Sequence, residues 1–375
     1  MTLVVDTTKG ATGTTVSLPL SCDVEARIDW GGTGTGCPAT ISARVNPGTA
    51  SCTYATNGVH TIKIIGTFSR FGLRAEDDSY VGNDKITEVK SFGDTGATSY
   101  FKAFKGATNF TTVATSVPST VTTMEAMFDG ASRFNSSINS WDVSHVTNMD
   151  WMFSEASAFN HSLGNWNTAN VTSMQGMFAG ASAFNQSINS WNTGNVQTMS
   201  NMFERASAFN QPLASWDTSR VRTMGGMFDR ASSFNQSLAA WCVSAIRTAP
   251  IKFDNDTTAW VTSRPNWSKC PRVPNAPTSV TASFGTNSGD INLNWSAPTS
   301  TGEAPIVDYY IYLVTADATA PSGFTQRKIG EVGSASTAIV MDGFTTGTSL
   351  TFRVTAVNAK GESVASASSN SITAN

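Results

Sequence analysis

The sequence predicts a multidomain protein in which a solenoid of stacked repeats is flanked by smaller units, the first of them a β-sandwich. Three observations carry this reading. At 375 residues the chain is long for one domain, and the usual domain size suggests roughly two to four units. A strict period of 25 residues runs from about Val121 to Ile246, and fixed-period self-similarity is the mark of repeat architectures. Ahead of the repeats, short runs alternating apolar and polar residues are separated by Gly, Asn and Pro, as in a small sandwich.

Composition excludes some functions before any motif is considered. Charged residues are 14% of the chain and the formal net charge is −3, so no basic surface exists to neutralise phosphates or anionic lipid. Nucleic acid is therefore not expected as a partner, nor is membrane insertion, because no apolar run reaches the ~18 residues of a spanning helix. With 40% hydrophobic residues, ten Trp and 21 Phe, the chain is too apolar to be disordered.

Within the repeats, Trp141, Trp166, Trp191, Trp216 and Trp241 recur in register, as do Phe128, Phe153, Phe178, Phe203 and Phe228. The methionines Met124, Met149, Met174, Met199 and Met224 follow the same period, each with a second Met three residues on. Met199, Met202, Phe203 and Ala206 stand at i, i+3, i+4 and i+7, the apolar stripe of about two helical turns. Thr123, Asn148, Ser173, Thr198 and Thr223, one before each first Met, are of N-cap type. Each unit thus reads as a short helix followed by extended chain and a turn. A unit this small cannot bury its own apolar face, so neighbours must complete the core. The Met/Phe/Trp set is read as that core rather than as a greasy ligand groove. Asn135, Asn160, Asn185, Asn210 and Asn235, each after a Phe, are read as a ladder whose amides bond the next coil, with a glycosylation sequon as the weaker alternative.

Repeat arrays need caps, and two decayed copies supply them. Tyr100, Ala103, Phe104, Gly106, Ala107 and Phe110 repeat the frame at the front; Ile246, Phe253, Trp260 and Trp267 do so at the back. A bridge between Cys242 and Cys270 would pin the back cap, worth about 3 to 4 kcal/mol for such a loop; two unrelated thiols are the alternative. The domains are placed at 1–96, 97–270 and 274–375.

The stretch IDWGGTGTGC followed by CTYATNGVHTIKIIGTF resembles a polycystic-kidney-disease-type (PKD) immunoglobulin-like domain, with Cys52 where that family carries a His. The resemblance implies a Cys37–Cys52 bridge and leaves Cys22 free, although three pairings are possible in principle. The repeat, of the form Val-x-x-Met-x-x-Met-Phe-x-x-Ala-x-x-Phe-Asn-x-x-Leu-x-x-Trp, resembles the BspA-like leucine-rich repeats of bacterial surface proteins. After the hinge CPRVPNAPTS, the segments INLNW, DYYIYLV and TFRVTAVNAKGES resemble a fibronectin type III domain, with Leu350 replacing the usual corner tyrosine. Together these resemblances imply a multidomain chain: an α/β leucine-rich-like repeat solenoid flanked by two β-sandwich (Ig-like) domains.

Chemistry is sparse. His145 and His161 occupy variable repeat positions, and His60 in HTIKI is expected to face solvent. No phosphate loop, nucleophile elbow or Cys-x-x-Cys is present, so no catalytic residue, cofactor or metal ligand is assigned and the protein is expected not to be an enzyme. The start MTLVVDTTKG lacks the basic and apolar regions of a secretory signal, while low charge and five cysteines look extracellular. The expectation is a non-enzymatic protein displayed on a virion surface, a phage accessory protein of the capsid-decoration or tail fibre or knob kind, aiding assembly or host attachment. Its partners would be other virion or surface proteins, met through a terminal β-sandwich, and a host-surface glycan or protein. The alternative is an exported bacterial adhesin, extracellular or on the cell surface, binding glycan or protein through the solenoid face.

Overall fold

A computed structural model describes residues 1–21, 23–43, 50–316 and 324–374; Cys22 lies outside them. Packing divides the chain into two units, one of residues 1–238 with 243–263, the other of residues 239–242 with 264–375.

In the first unit the strands are β1 (Thr2–Asp6), β2 (Thr15–Leu18), β3 (Leu20–Ser21), β4 (Val24–Asp29), β5 (Gly34–Thr35), β6 (Thr40–Ala43), β7 (Ala50–Tyr54), β8 (Val59–Thr67), β9 (Arg70–Phe71), β10 (Ile86–Ser91) and β11 (Thr112–Val113). A six-stranded sheet runs in the order β11-β10-β1-β8-β4-β6, beside a three-stranded sheet β2-β7-β5 and the pair β3-β9. Alternation builds it: Val24, Ala26 and Ile28 of β4 are buried while Glu25, Arg27 and Asp29 are exposed, the period of a strand with one face in the core.

The expected class needs correction: the chain is nearly all β, built of several separate sheets of sandwich type, not an α/β solenoid. Among the described residues there is no α-helix, only a short 3-10 turn at Asn83–Lys85. The stripe read as helical is instead a run of turns. In the unit beginning at Met149, the N–H groups of Met149, Trp151, Phe153 and Glu155 donate forward to the carbonyls of Ser173, Gln175, Met177 and Ala179 at 2.7–3.1 Å, while those of Met152, Ser154 and Ala156 donate back three residues. An α-helix would send every N–H back four residues. Here alternate N–H groups serve the next unit, and left-handed residues make that alternation, as at Trp151 (φ 57°) and Glu155 (φ 52°), or Gly176 (φ 60°) and Gly180 (φ 69°). Thr123, Asn148, Ser173, Thr198 and Thr223 have no helix to cap; they pair with one another as single parallel bridges from unit to unit, and Thr123 and Asn148 accept the N–H two residues on.

Inside, identical side chains stack. Phe128, Phe153, Phe178, Phe203 and Phe228 follow one another with ring centroids 5.5–5.8 Å apart, and a second column passes through Phe134, Phe159, Phe184, Phe209 and Phe234 at 5.6–6.0 Å. Met124, Met149, Met174, Met199 and Met224 are fully buried beside them, and Trp141, Trp166, Trp191, Trp216 and Trp241 nearly so. The Nε1 of Trp166, Trp191 and Trp216 donates to the carbonyls of Ile138, Leu163 and Ile188 in the preceding unit at 3.0 Å, so the one polar atom of each indole is satisfied. The columns close edge-on: Phe253 and Trp260 meet Phe228, and Trp260 meets Phe234, at 74–82°. At the front, Phe71 and Phe92 of the sheet domain pack on Phe104 and Tyr100, and a Phe or Trp turned across a stack leaves no open ring face.

The second unit holds β12 (Thr278–Phe284), β13 (Ile291–Ser296), β14 (Ile306–Ala316), β15 (Phe324–Glu331), β16 (Ala338–Met341), β17 (Ser349–Leu350), β18 (Phe352–Asn358), β19 (Gly361–Glu362) and β20 (Ile372–Thr373). Sheets β12-β13-β16 and β15-β14-β18-β19 enclose Leu293, Trp295, Tyr309, Ile311, Phe352 and Val354, and Leu350 is buried with them. After β19 the serines Ser363, Ser366 and Ser369 accept the N–H groups of Ala356, Val354 and Phe352 at 3.0 Å, so hydroxyls complete the edge of β18.

Replacing Trp191 by Ala is expected to cost about 3 to 5 kcal/mol, because the stacked column cannot collapse onto the cavity. Denaturant titration checks it; a change below ~1 kcal/mol would contradict the packing. A fragment of residues 146–220 lacks both end closures and is expected to aggregate or remain unfolded; cooperative melting of that soluble fragment would contradict the need for caps.

Candidate binding surface

Since inward positions close the core, any site must lie on outward ones, and each unit offers three groups of them. Around the inward Val, the flanking residues point out: Thr122, Thr147, Thr172, Gln197 and Arg222 form one column, each from Thr147 on donating its N–H to the residue below at 2.8 Å. Thr147 and Thr172 also turn their hydroxyls to that lower carbonyl.

The Asn residues form a second column at the rim, half-exposed to exposed. Oδ1 of Asn135, Asn160, Asn185 and Asn210 accepts the backbone N–H of Asn160, Asn185, Asn210 and Asn235 at 2.9–3.0 Å, and Asn235 accepts that of Val261. Gln186 and Gln211 donate to the same oxygens, leaving a surface of bonded amides.

The third group lies on the left-handed turns and carries the charge and relief. Glu125 and Asp150 stand one unit apart. Asn148 donates to Glu125 at 2.9 Å; Ser173 and the N–H of Gln175 donate to Asp150. Burial, with the Asp150 charge adding, pushes the Glu125 carboxyl above the ordinary range, and burial does the same to Asp150 against the pull of its hydrogen bonds. Lys105 and Lys102 hold the exposed Asp78 below it. Further along, Trp151, Glu155 and Arg205 surround Gly176 and Gly180.

Disulfides join Cys37 to Cys52 and Cys242 to Cys270, with Cα atoms 4.2 and 3.9 Å apart. His145 is exposed and bonds Ser144; His161 contacts the Asn135 carbonyl at 3.0 Å. His60 does not face solvent: its ring stacks on Tyr54 at 3.7 Å, next to Gly32. Among the described residues no three His, Cys, Asp or Glu side chains are grouped to hold a metal. In the second unit, Tyr312 and Thr355 donate to Glu362 at 2.7 and 2.5 Å, and burial with the Glu362 charge pushes the Tyr312 hydroxyl up to about 12. Asn358, at the base of the β18–β19 hairpin, is tied to the carbonyls of Arg272 and Thr301.

Sequence reasoning passed over Trp151. Its signal was there: between Val121 and Ile246, where the period is strict, it is the tryptophan that falls outside the 25-residue Trp register.

A family model described as Mycoplasma protein of unknown function, DUF285, matches residues 98–194 and 161–267, and the fibronectin type III family matches residues 275–372. Among solved structures, a set of titin domains is 28% identical over 28% of this chain and 34% of that chain, with a TM-score of 0.24. Titin kinase with its flanking domains is 26% identical over 28% and 17%, also at 0.24. An Fn3-like protein from Clostridium thermocellum is 23% identical over 26% and 91%, at 0.21. The chain thus spans about a third and a sixth of the two titin structures. No curated protein matches it. The C-terminal unit carries a fibronectin type III domain and the array carries DUF285 repeats; neither match reaches residues 1–97.

Because Glu125 and Asp150 bind protons more readily folded than unfolded, stability falls as pH rises from the ordinary carboxylate range through their raised values. Glu125→Gln is expected to keep or raise the denaturation midpoint at pH 7 and to flatten that slope. A loss at pH 7 that disappears at pH 3 would mean that the ionised carboxylate is structurally required.

Proposed function

We propose that this chain, with DUF285 repeats followed by a fibronectin type III domain, is a non-enzymatic structural and binding protein displayed on a surface. The observation that carries the reading is the division of labour in the array. Inward Met, Phe and Trp repeat without change, whereas the outward turn positions vary from unit to unit: Glu125, Asp150, Gln175, Ser200 and Gly225 at one, Ala126, Trp151, Gly176, Asn201 and Gly226 at the next. Repetition makes the scaffold and variation makes the surface, and function belongs to the surface.

Two disulfides support surroundings outside a reducing cytosol. A virion surface fits, with the chain as capsid decoration or tail fibre or knob, docked through a terminal sheet domain. A different observation favours the second reading, an exported adhesin: the indole of Trp151 is partly open on the outward face.

Low charge means attachment through shape and apolar contact rather than long-range steering, so it should persist in salt. The test is to purify virions and, separately, bacterial envelopes from a producing culture, wash at high salt and probe with antibody against the array. Label retained on virions supports the first reading, and label retained on intact cells the second. Finding the protein only as a free cytoplasmic monomer, or glycan hydrolysis by the purified chain, would overturn surface display without catalysis.

A further inference from the structure

The unit from Met174 to Gly180 presents the smallest outward residues of any in the array: Gly176, Ala179 and Gly180 beside Gln175. The preceding unit leans into the space this leaves. A Cβ built on Gly176 would lie 2.1–2.4 Å from Cε3, Cζ3 and Cδ2 of Trp151, and one on Gly180 would lie 2.6–2.7 Å from the carboxylate of Glu155. The six-membered ring of Trp151 therefore rests on the Gly176 backbone, and the Glu155 carboxylate lies beside it over Gly180. From the far side Arg205 reaches back across Gly180 to pair with Glu155.

Core packing does not call for this indole. The corresponding position is closed by glycine at 176 and 226, with φ 60° and 64°, and glycine suits that conformation without strain. Trp151 holds φ 57°, as Ala126 and Asn201 hold 51° and 58° at the same position, so the stacking sets the backbone there and the indole is what this unit adds. The ring has one face on the chain and remains partly exposed. Asp150 precedes Trp151 in the chain, the Trp151 N–H donates to the Gln175 carbonyl at 2.7 Å, and the Glu155–Arg205 pair lies over Gly180, four residues from Gly176. An aromatic floor ringed by planar acceptors and donors matches the C–H face and the equatorial hydroxyls of a pyranose, and sites of that make-up orient a ligand by a few placed polar groups.

We propose that Trp151, over the Gly176–Gly180 recess, is the stacking platform of a saccharide site for a neutral, β-linked pyranose chain, with Glu155, Arg205 and Gln175 as its polar rim. The proposal rests on the surface-binding reading above and gives it a ligand class.

The test uses the full chain and hexasaccharides of β-linked glucose, galactose and N-acetylglucosamine, read by tryptophan fluorescence and calorimetry. Saturable binding to at least one of them is expected, with affinity falling at least tenfold in Trp151→Gly and largely kept in Trp151→Tyr. Trp151→Gly should melt at or above the temperature of the parent, since glycine fits the left-handed position; a lower melting point would make the ring a structural element. No saturable binding to any of the three, or undiminished binding by Trp151→Gly, would overturn the site. Neither result touches surface display, which antibody labelling of virions and cells reads separately.

Discussion

Everything in the array depends on where alternate backbone N–H groups go. In the run from Met to Ala the odd members donate to the carbonyls of the following unit, and the fourth, sixth and eighth donate back three residues. Buried backbone groups must be paired, and this scheme pairs them across units and within them at once. Left-handed residues four apart, such as Asn201 and Arg205, make the alternation geometrically possible. Once it is set, a spacing of 25 residues follows, and like side chains are brought ring over ring.

That constraint explains how much was legible. The period, the inward Met, Phe and Trp, and the decayed end units around Phe104 and Trp260 could be read because burial selects residue type at fixed spacing. The helix was misread for a specific reason: turns with i to i−3 bonds place apolar side chains at i, i+3, i+4 and i+7 just as an α-helix does. The discriminating signal was glycine. Gly176 with Gly180, four apart in what would be one short helix, is poor helix chemistry but fits a chain that needs positive φ at both places. The N-cap residues misled in the same way, since Thr123 and Asn148 suit a single-residue bridge as well as a cap.

The relief on the turn face has the same origin. A side chain at a left-handed position leans toward the next unit, so what it meets is set by the residue 25 places on. Trp151 finds Gly176, and Asn201 finds Gly226, where a Cβ would come within 2.2 Å of its Oδ1. Trp151, Glu155 and Asn201 each stand where the next unit offers glycine, while Arg205 is followed by Arg230 and turns back to pair with Glu155. The sequence displays every one of these residues, but their pairing is visible only once the direction of lean is known.

A consequence concerns where specificity can reside. The Asn column is tied to the unit below by its own side chains, so exchanging a residue there removes a bond of the stack. On the turn face the bonds that recur in every unit run through the backbone, and the side chains add bonds that differ from unit to unit, such as Asn148 to Glu125 and Ser173 to Asp150. Glu125, Asp150, Gln175, Ser200 and Gly225 can differ this much because the backbone bonds that recur in every unit do not pass through their side chains. In a stacked protein the binding surface belongs where the backbone carries the recurring bonds and the side chains are free to differ, and here that is the left-handed turn face.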